Sequence, residues 1–275
     1  MQQPKVPVIL VSGYLGAGKT TLIRDFLTDP QGLRATVLVN DFGQVNIDAE
    51  LIAETGADTI ALTNGCACCS IGDDLLGAAS AAMVTQPDLL VVEASGVAQP
   101  ARMARLLCGV KGALPARCLT VVNGARARQL SRDKFVGRLF DQQIQQADAL
   151  SLNRSEGLVS AWIGTSPQFA ALSDFVWSGD PTGARPKVLA EDLDVQFTQT
   201  IHHPEEMDEV AFHAWLLEIC PSLHRAKGVF PMRMSSRETV MARIDYVQGE
   251  LTVQSLPERI FEPSGQIVVI APRVD

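Results

Sequence analysis

The sequence predicts an α/β fold: a mainly parallel sheet flanked by helices, followed by a smaller C-terminal α+β domain. Three observations carry that expectation. Short apolar runs alternate with helical patterns through the first two-thirds of the 275 residues, the signature of strand–helix–strand units. A glycine-rich loop, Gly13 to Thr21, lies between the first apolar run and the first helical stretch. Beyond the breaker-dense Gly179-Asp180-Pro181-Thr182-Gly183, the pattern changes to a single helix among short strands. The expected domains are therefore residues 1–185 and residues 186–275.

In chain order, Val6–Val11 reads as a short buried strand, with Pro7 tolerated near its start. Thr20–Asp29 places Leu22, Ile23, Phe26 and Leu27 on one helical face. Further strands are expected at Thr36–Val39, Thr59–Leu62, Leu89–Val92, Leu119–Val122 and Ala149–Leu152, with Asp174–Trp177 closing the domain. Helices are expected at Asp73–Val84, Pro100–Leu107 and Phe135–Gln146. In the second domain the strands are Val195–Ile201, Gly228–Met234, Thr239–Val247, Leu251–Gln254 and Ile267–Ala271, with one helix at Glu205–Ile219. One helix against a mostly antiparallel sheet suits a module of this size.

The loop Gly13-Tyr14-Leu15-Gly16-Ala17-Gly18-Lys19-Thr20-Thr21 satisfies the pattern G-x-x-x-x-G-K-[ST] in its required strand–loop–helix context, which makes the first domain a P-loop NTPase domain. Gly13, Gly16 and Gly18 let the backbone turn tightly and aim N–H groups, with a helix N-terminus, at phosphate oxygens. Lys19 reaches for the β- and γ-phosphates, and the Thr20 hydroxyl is a ligand for Mg²⁺. A nucleoside triphosphate is the expected ligand.

Bulk properties narrow the partners. A hydrophobic content of 47% and a charged content of 20% are those of an ordinary globular protein. The net charge of −8 supplies no cationic field for a nucleic acid backbone. No apolar run approaches the ~20 residues of a membrane span. The start of the chain lacks the features of a signal peptide, so a cytoplasmic protein with reduced thiols is expected.

The six cysteines are then core residues, metal ligands or reactive thiols. Cys66, Cys68 and Cys69 fall within four residues, directly after an expected strand. Thiolates packed this tightly select soft metals such as Zn²⁺ or Cu(I). A structural zinc site needs two separated ligand pairs, whereas one turn leaves a position open and suits metal transfer. The helix that follows would lower the cysteine pKa values. Cys108, Cys118 and Cys220 stand alone in apolar surroundings and read as core, and His202-His203 reads as an exposed pair near a turn.

With these motifs the chain resembles the CobW-like P-loop GTPases, which handle metals and are related to the nickel-inserting GTPases of urease and hydrogenase maturation. The phosphate loop is the first of four matching segments. The second, Asn40-Asp41-Phe42-Gly43-Gln44, is similar to the family's switch segment Asn-Glu-Phe-Gly-Glu. The third, Gly65-Cys66-Ala67-Cys68-Cys69, resembles its Cys-x-Cys-Cys hallmark. The fourth, Glu93-Ala94-Ser95-Gly96-Val97-Ala98-Gln99-Pro100, resembles Glu-Thr-Ser-Gly-Leu-Ala-Asp-Pro. Arg225-Ala226-Lys227-Gly228 adds weaker C-terminal support.

The resemblance implies a GTP-hydrolysing metallochaperone, loading Zn²⁺ or Co²⁺ at Cys66, Cys68 and Cys69 under nucleotide control and delivering it to a metalloprotein client. Switch loops ordered by the γ-phosphate would change the thiolate geometry with each turnover. It also implies that Glu93 contacts Mg²⁺, that Gly96 senses the γ-phosphate through its N–H, and that Asp41 keeps a carboxylate for a metal. It admits a homodimer.

Four departures bear on these roles. Asn153-Arg154-Ser155-Glu156 stands where the guanine-reading Asn-Lys-x-Asp is expected, with a carboxylate one methylene longer and an arginine that is not equivalent to lysine. Gln44 replaces a carboxylate, Ala94 replaces a hydroxyl, and no histidine-rich tract is present. With no evident arginine finger, and with Arg126 and Arg128 expected in a solvated loop, slow turnover is expected. Two alternatives stand beside this reading: a nucleotide-binding metal buffer or client binder that has lost hydrolysis, and a P-loop kinase or transferase.

Overall fold

The computed structural model describes residues 5–39, 58–61, 71–154, 172, 197–236, 238–247, 249–256 and 265–272. They divide into two compact units, one built on a parallel sheet and one on an antiparallel sheet.

The first unit is a six-stranded parallel sheet. Its strands are β1 (Val8–Ser12), β2 (Ala35–Val39), β3 (Asp58–Ala61), β4 (Leu89–Glu93), β5 (Arg117–Asn123) and β6 (Ala149–Asn153). Their order across the sheet is β3-β2-β4-β1-β5-β6. The helices are α1 (Lys19–Thr28), α2 (Ile71–Val84), α3 (Pro100–Leu107), α4 (Gly124–Ser131) and α5 (Gly137–Gln145).

Strand alternation explains why the sheet needs cover on both faces. Ile9, Val11, Val37, Val39, Leu89 and Val91 point to one side, where Ile23, Phe26 and Leu27 of α1 meet them. Val8, Leu10, Leu38, Leu90 and Val92 point to the other, against Leu75 and Ala79 of α2 and Met103 and Leu107 of α3. Burying a side chain of this size is worth about 1.5–3 kcal/mol. The phosphate loop and its neighbours emerge from the C-terminal ends of β1, β4, β5 and β6, strands whose side chains are packed in this core.

The elements depart from expectation in ways that have local causes. The first strand begins at Val8 rather than Val6, because Pro7 has no N–H to give a ladder. Val6 instead donates to Gly112 O (2.8 Å) and accepts from Leu114 N–H (2.8 Å). Arg126 and Arg128 lie in helix α4, not in a loop; only Ala127 and Leu130 of that helix are buried, so its amphipathic signal is weak. Cys108 is exposed at the C-terminus of α3 and Cys220 is half-buried, so of the three isolated cysteines only Cys118 is a core residue. The expected strand Asp174–Trp177 and the Gly179–Gly183 boundary lie outside the described residues.

The second unit is a five-stranded antiparallel sheet in the order β10-β9-β8-β11-β7. It comprises β7 (Phe197–His202), β8 (Arg225–Arg233), β9 (Thr239–Val247), β10 (Glu250–Ser255) and β11 (Gln266–Pro272). Helix α6 (Glu209–Ile219) starts four residues later than expected, because the Asp208 carboxylate accepts the Ala211 N–H (2.9 Å) and caps it. Phe212 of α6 stacks on Phe230 of β8 with centroids 4.4 Å apart. The strand β8 begins at Arg225, three residues early, where Arg225 reaches the Asp245 carboxylate on β9 (Nη2 to Oδ2 3.3 Å).

Candidate nucleotide site

Strand β1 ends at Ser12 and delivers the chain into the phosphate loop. Gly13, Gly16 and Gly18 all have positive φ (139°, 70° and 97°), which no β-carbon tolerates without strain. Two of them are also crowded. A β-carbon on Gly13 would strike the Val121 carbonyl oxygen of β5, and one on Gly18 would strike the Asn153 amide at the end of β6. The loop closes on itself through Ala17 N–H to Tyr14 O (3.1 Å) and then enters α1. Gly18 at the N-cap offers no side-chain cap, and a helix N-terminus of this kind favours an anionic group.

Lys19 is 5% exposed, and its ammonium donates to Gly13 O (2.9 Å) and Tyr14 O (3.4 Å). The cation thus lies folded over the loop it serves, held by carbonyl dipoles. Tyr14 is fully buried beneath the loop; burial first, and the charge of Asp133 second, push its phenol far above the ordinary range. It stays neutral and acts as a packing post.

Thr20 and Glu93, separated by 73 positions, come together at the C-terminal end of the sheet. The Thr20 hydroxyl donates to Glu93 Oε1 at 2.9 Å, and Glu93 is 6% exposed. A hydroxyl and a buried carboxylate side by side at a phosphate loop are the hard oxygen donors that Mg²⁺ takes. Both residues therefore fit the metal that accompanies a nucleoside triphosphate.

After β4 the chain passes directly over the loop. Ala94 N–H donates to Val11 O (2.9 Å), and Ser95 O accepts from Ala98 N–H (3.0 Å) to close a turn. Within that turn Gly96 packs on the loop itself: a β-carbon there would lie 2.7 Å from Leu15 N and 2.9 Å from Leu15 Cα. Gly96 is thus brought to the phosphate loop together with Glu93.

Asn153 has a contact that its sequence position did not announce. Its Nδ2 donates to Ala17 O (3.1 Å), bracing the phosphate loop from β6. Arg154 follows in a left-handed conformation (φ 53°) and is exposed. A second unanticipated residue is Gln143 of α5, fully buried, whose Nε2 donates to Gly96 O (3.1 Å) and Ala98 O (3.0 Å). A sequence signal for it exists. Leu139, Phe140, Gln143, Ile144 and Ala147 form an i, i+3, i+4 stripe in which an amide occupies a core position.

Asp41, Gln44, Cys66, Cys68, Cys69, Ser155 and Glu156 lie outside the described residues. Among the described residues no group of three or more His, Cys, Asp or Glu side chains could hold a metal ion. His202 pairs with Thr200 Oγ1 (2.8 Å) and His203 with Gly265 O (2.8 Å). No described helix is long and apolar enough to cross a membrane.

Comparison with known proteins agrees with this geometry. The family described as CobW/HypB/UreG, nucleotide-binding domain, matches residues 7–162. The zinc chaperone CobW of Sinorhizobium sp is 38% identical over 106 residues, which cover 36% of this chain and 30% of that protein. The zinc chaperone YjiA of Escherichia coli K12 is 40% identical over 101 residues, 34% of this chain and 32% of that protein. The zinc-regulated GTPase metalloprotein activator 1 of Dictyostelium discoideum is 39% identical over 110 residues, 35% of this chain and 23% of that protein. The chain thus spans a third or less of each of these relatives. The phosphate loop, the carboxylate at the end of β4 and the glycine turn after it all fall inside the family match, which takes in more than half of the 275 residues, and the chain belongs to the CobW/HypB/UreG nucleotide-binding family.

Proposed function

We propose that this protein binds and slowly hydrolyses GTP, and that nucleotide state controls a transition-metal site at Cys66, Cys68 and Cys69 from which Zn²⁺ or Co²⁺ passes to a client metalloprotein. The observation that carries the nucleotide half is the Thr20–Glu93 pair beside the phosphate loop (2.9 Å). Family membership and the names of the zinc-handling relatives support the metal half. The reading assigns nucleotide chemistry to residues 1–185 and client contact to residues 186–275, in a cytosol that keeps the thiols reduced.

The geometry of the described residues supports the following roles. Loop N–H groups and the N-terminus of α1 receive the phosphates. Lys19, now resting on Gly13 O and Tyr14 O, exchanges those carbonyls for the more negative phosphate oxygens. Thr20 and Glu93 would hold Mg²⁺, which supplies charge neutralisation on the phosphates. Water attacks the γ-phosphate, and Lys19 and the amides stabilise the charge that moves to the bridging oxygen. Asn153 braces the loop, while the family resemblance assigns Arg154 and Glu156 to reading the base. The metal ion at the cysteines is cargo, with its affinity coupled reciprocally to that of the triphosphate.

Phosphate release from GTP and from ATP, measured for the wild type and for Thr20→Val and Lys19→Ala, tests the nucleotide half. Mg²⁺-dependent GTP turnover lost in both variants is the expected result. Equal GTP and ATP rates, or turnover that survives Lys19→Ala, would remove it.

A further inference from the structure

In the turn that follows β4, the carbonyls of Gly96 and Ala98 are both taken by one side chain from outside it. Gly96 has no β-carbon, so its backbone torsions are free unless something fixes them. The Ser95–Ala98 hydrogen bond closes the turn but leaves the carbonyls of Gly96 and Ala98 facing the protein interior. Gln143 Nε2 takes both, at 3.1 Å and 3.0 Å. Two carbonyl acceptors need two hydrogens, so the orientation of this amide is fixed by its partners. The helix that carries it is itself fixed, since buried Thr120 of β5 donates to Gln143 O (2.9 Å). A third bond, Ala101 N–H to Gln146 Oε1 (3.2 Å), ties the start of α3 to the end of the same helix. Helix α5 therefore grips the whole segment from Gly96 to Ala101.

We propose that Gln143 is a positioning residue for nucleotide discrimination: its amide fixes the Gly96–Ala98 turn against the phosphate loop, so that the turn meets a third phosphate without first being ordered. The proposal rests on the GTP reading above. Gly96 lies on Leu15 of the loop and three residues beyond Glu93, so the turn borders the place where the third phosphate and its metal sit, while α1 and the loop itself serve any nucleotide. Removing the two donors costs the triphosphate complex and spares the diphosphate complex.

The test uses Gln143→Met, which keeps length and volume but has no donor, and Gln143→Glu, which turns acceptors toward two carbonyl oxygens. Dissociation constants are measured for fluorescent GDP and for a non-hydrolysable GTP analogue with Mg²⁺, alongside melting temperature. The expected result is about tenfold or greater weakening for the triphosphate, with GDP within about twofold of wild type and Glu worse than Met. Equal weakening of both nucleotides, or of neither, overturns the proposal. A wild type that binds neither nucleotide sinks the GTP reading instead. Should both variants fail to fold, hydrogen exchange on the wild type decides. Exchanging GDP for the triphosphate analogue must change protection of residues 94–101 and 139–147 together, and a change confined to 94–101 refutes the link.

Discussion

Replacing Gly18 by alanine puts the phosphate loop to a quantitative test. The residue sits at φ 97° and ψ 25°, and an L residue there costs about 1–2 kcal/mol. The new methyl also meets the Asn153 amide, which now donates to Ala17 O at 3.1 Å. Displacing that amide forfeits a net hydrogen-bond contribution of about 1 kcal/mol. The sum, about 2–3 kcal/mol, falls on the binding-competent loop and predicts a roughly 30- to 150-fold loss of nucleotide affinity. Fluorescent GDP titration measures it directly. A double-mutant cycle separates the two parts: in an Asn153→Ala background, Gly18→Ala should cost only the backbone share, a coupling of about 1 kcal/mol. Affinity within threefold of wild type, or an equal cost in both backgrounds, would refute the account of how β6 braces the loop.

Other expectations are simpler. Glu93→Gln should leave GDP binding without Mg²⁺ nearly intact and abolish the Mg²⁺ enhancement of triphosphate binding, as read by titration at several Mg²⁺ concentrations. Breaking the Arg225–Asp245 pair with Asp245→Asn should lower the melting temperature of the protein by a few degrees, since this half-buried arginine loses a charged acceptor. The Asp88 carboxyl is held below its ordinary value by the Arg34 backbone N–H first and by its side chain second. A depressed folded value means its contribution is present above the unfolded carboxylate range and is lost as pH falls through the folded value. Asp88→Asn should therefore melt below wild type at neutral pH, with the gap closing below about pH 4.

The sequence made the α/β unit legible because its strands carry strong apolar alternation and its loop carries an unusual density of glycine. Val8–Leu10 and Leu89–Val92 are core on both faces, and such runs have few alternatives in a globular chain. Polar short elements were harder. Helix α4 buries two side chains and starts at a glycine, so periodicity had little to count. Arg225 and Lys227 look like loop residues, yet they are strand positions because the pairing of Arg225 with Val247 and of Lys227 with Asp245 brings them into the ladder. In the site, the phosphate-loop motif singles out Lys19 and Thr20, and the family resemblance adds Glu93, which the structure brings to Thr20. The sequence offers Asn153 only through the resemblance to a base-reading segment, and its grip on Ala17 O depends on a tertiary approach permitted by Gly18. Gln143 is hard to read from sequence because a glutamine in a glutamine-rich stretch looks like surface, although the stripe it occupies is apolar.

Coupling between nucleotide and metal is the central claim, and competitive titration of Zn²⁺ and Co²⁺ measures it most directly. The protein is titrated with GDP bound, and then with a non-hydrolysable GTP analogue and Mg²⁺, as wild type and as the Cys66→Ser, Cys68→Ser, Cys69→Ser triple variant. The account predicts a metal affinity that changes at least tenfold between the two nucleotides and collapses in the triple variant. Metal affinity that is the same with either nucleotide would contradict it, and would leave the cysteines a passive site on a nucleotide-binding protein.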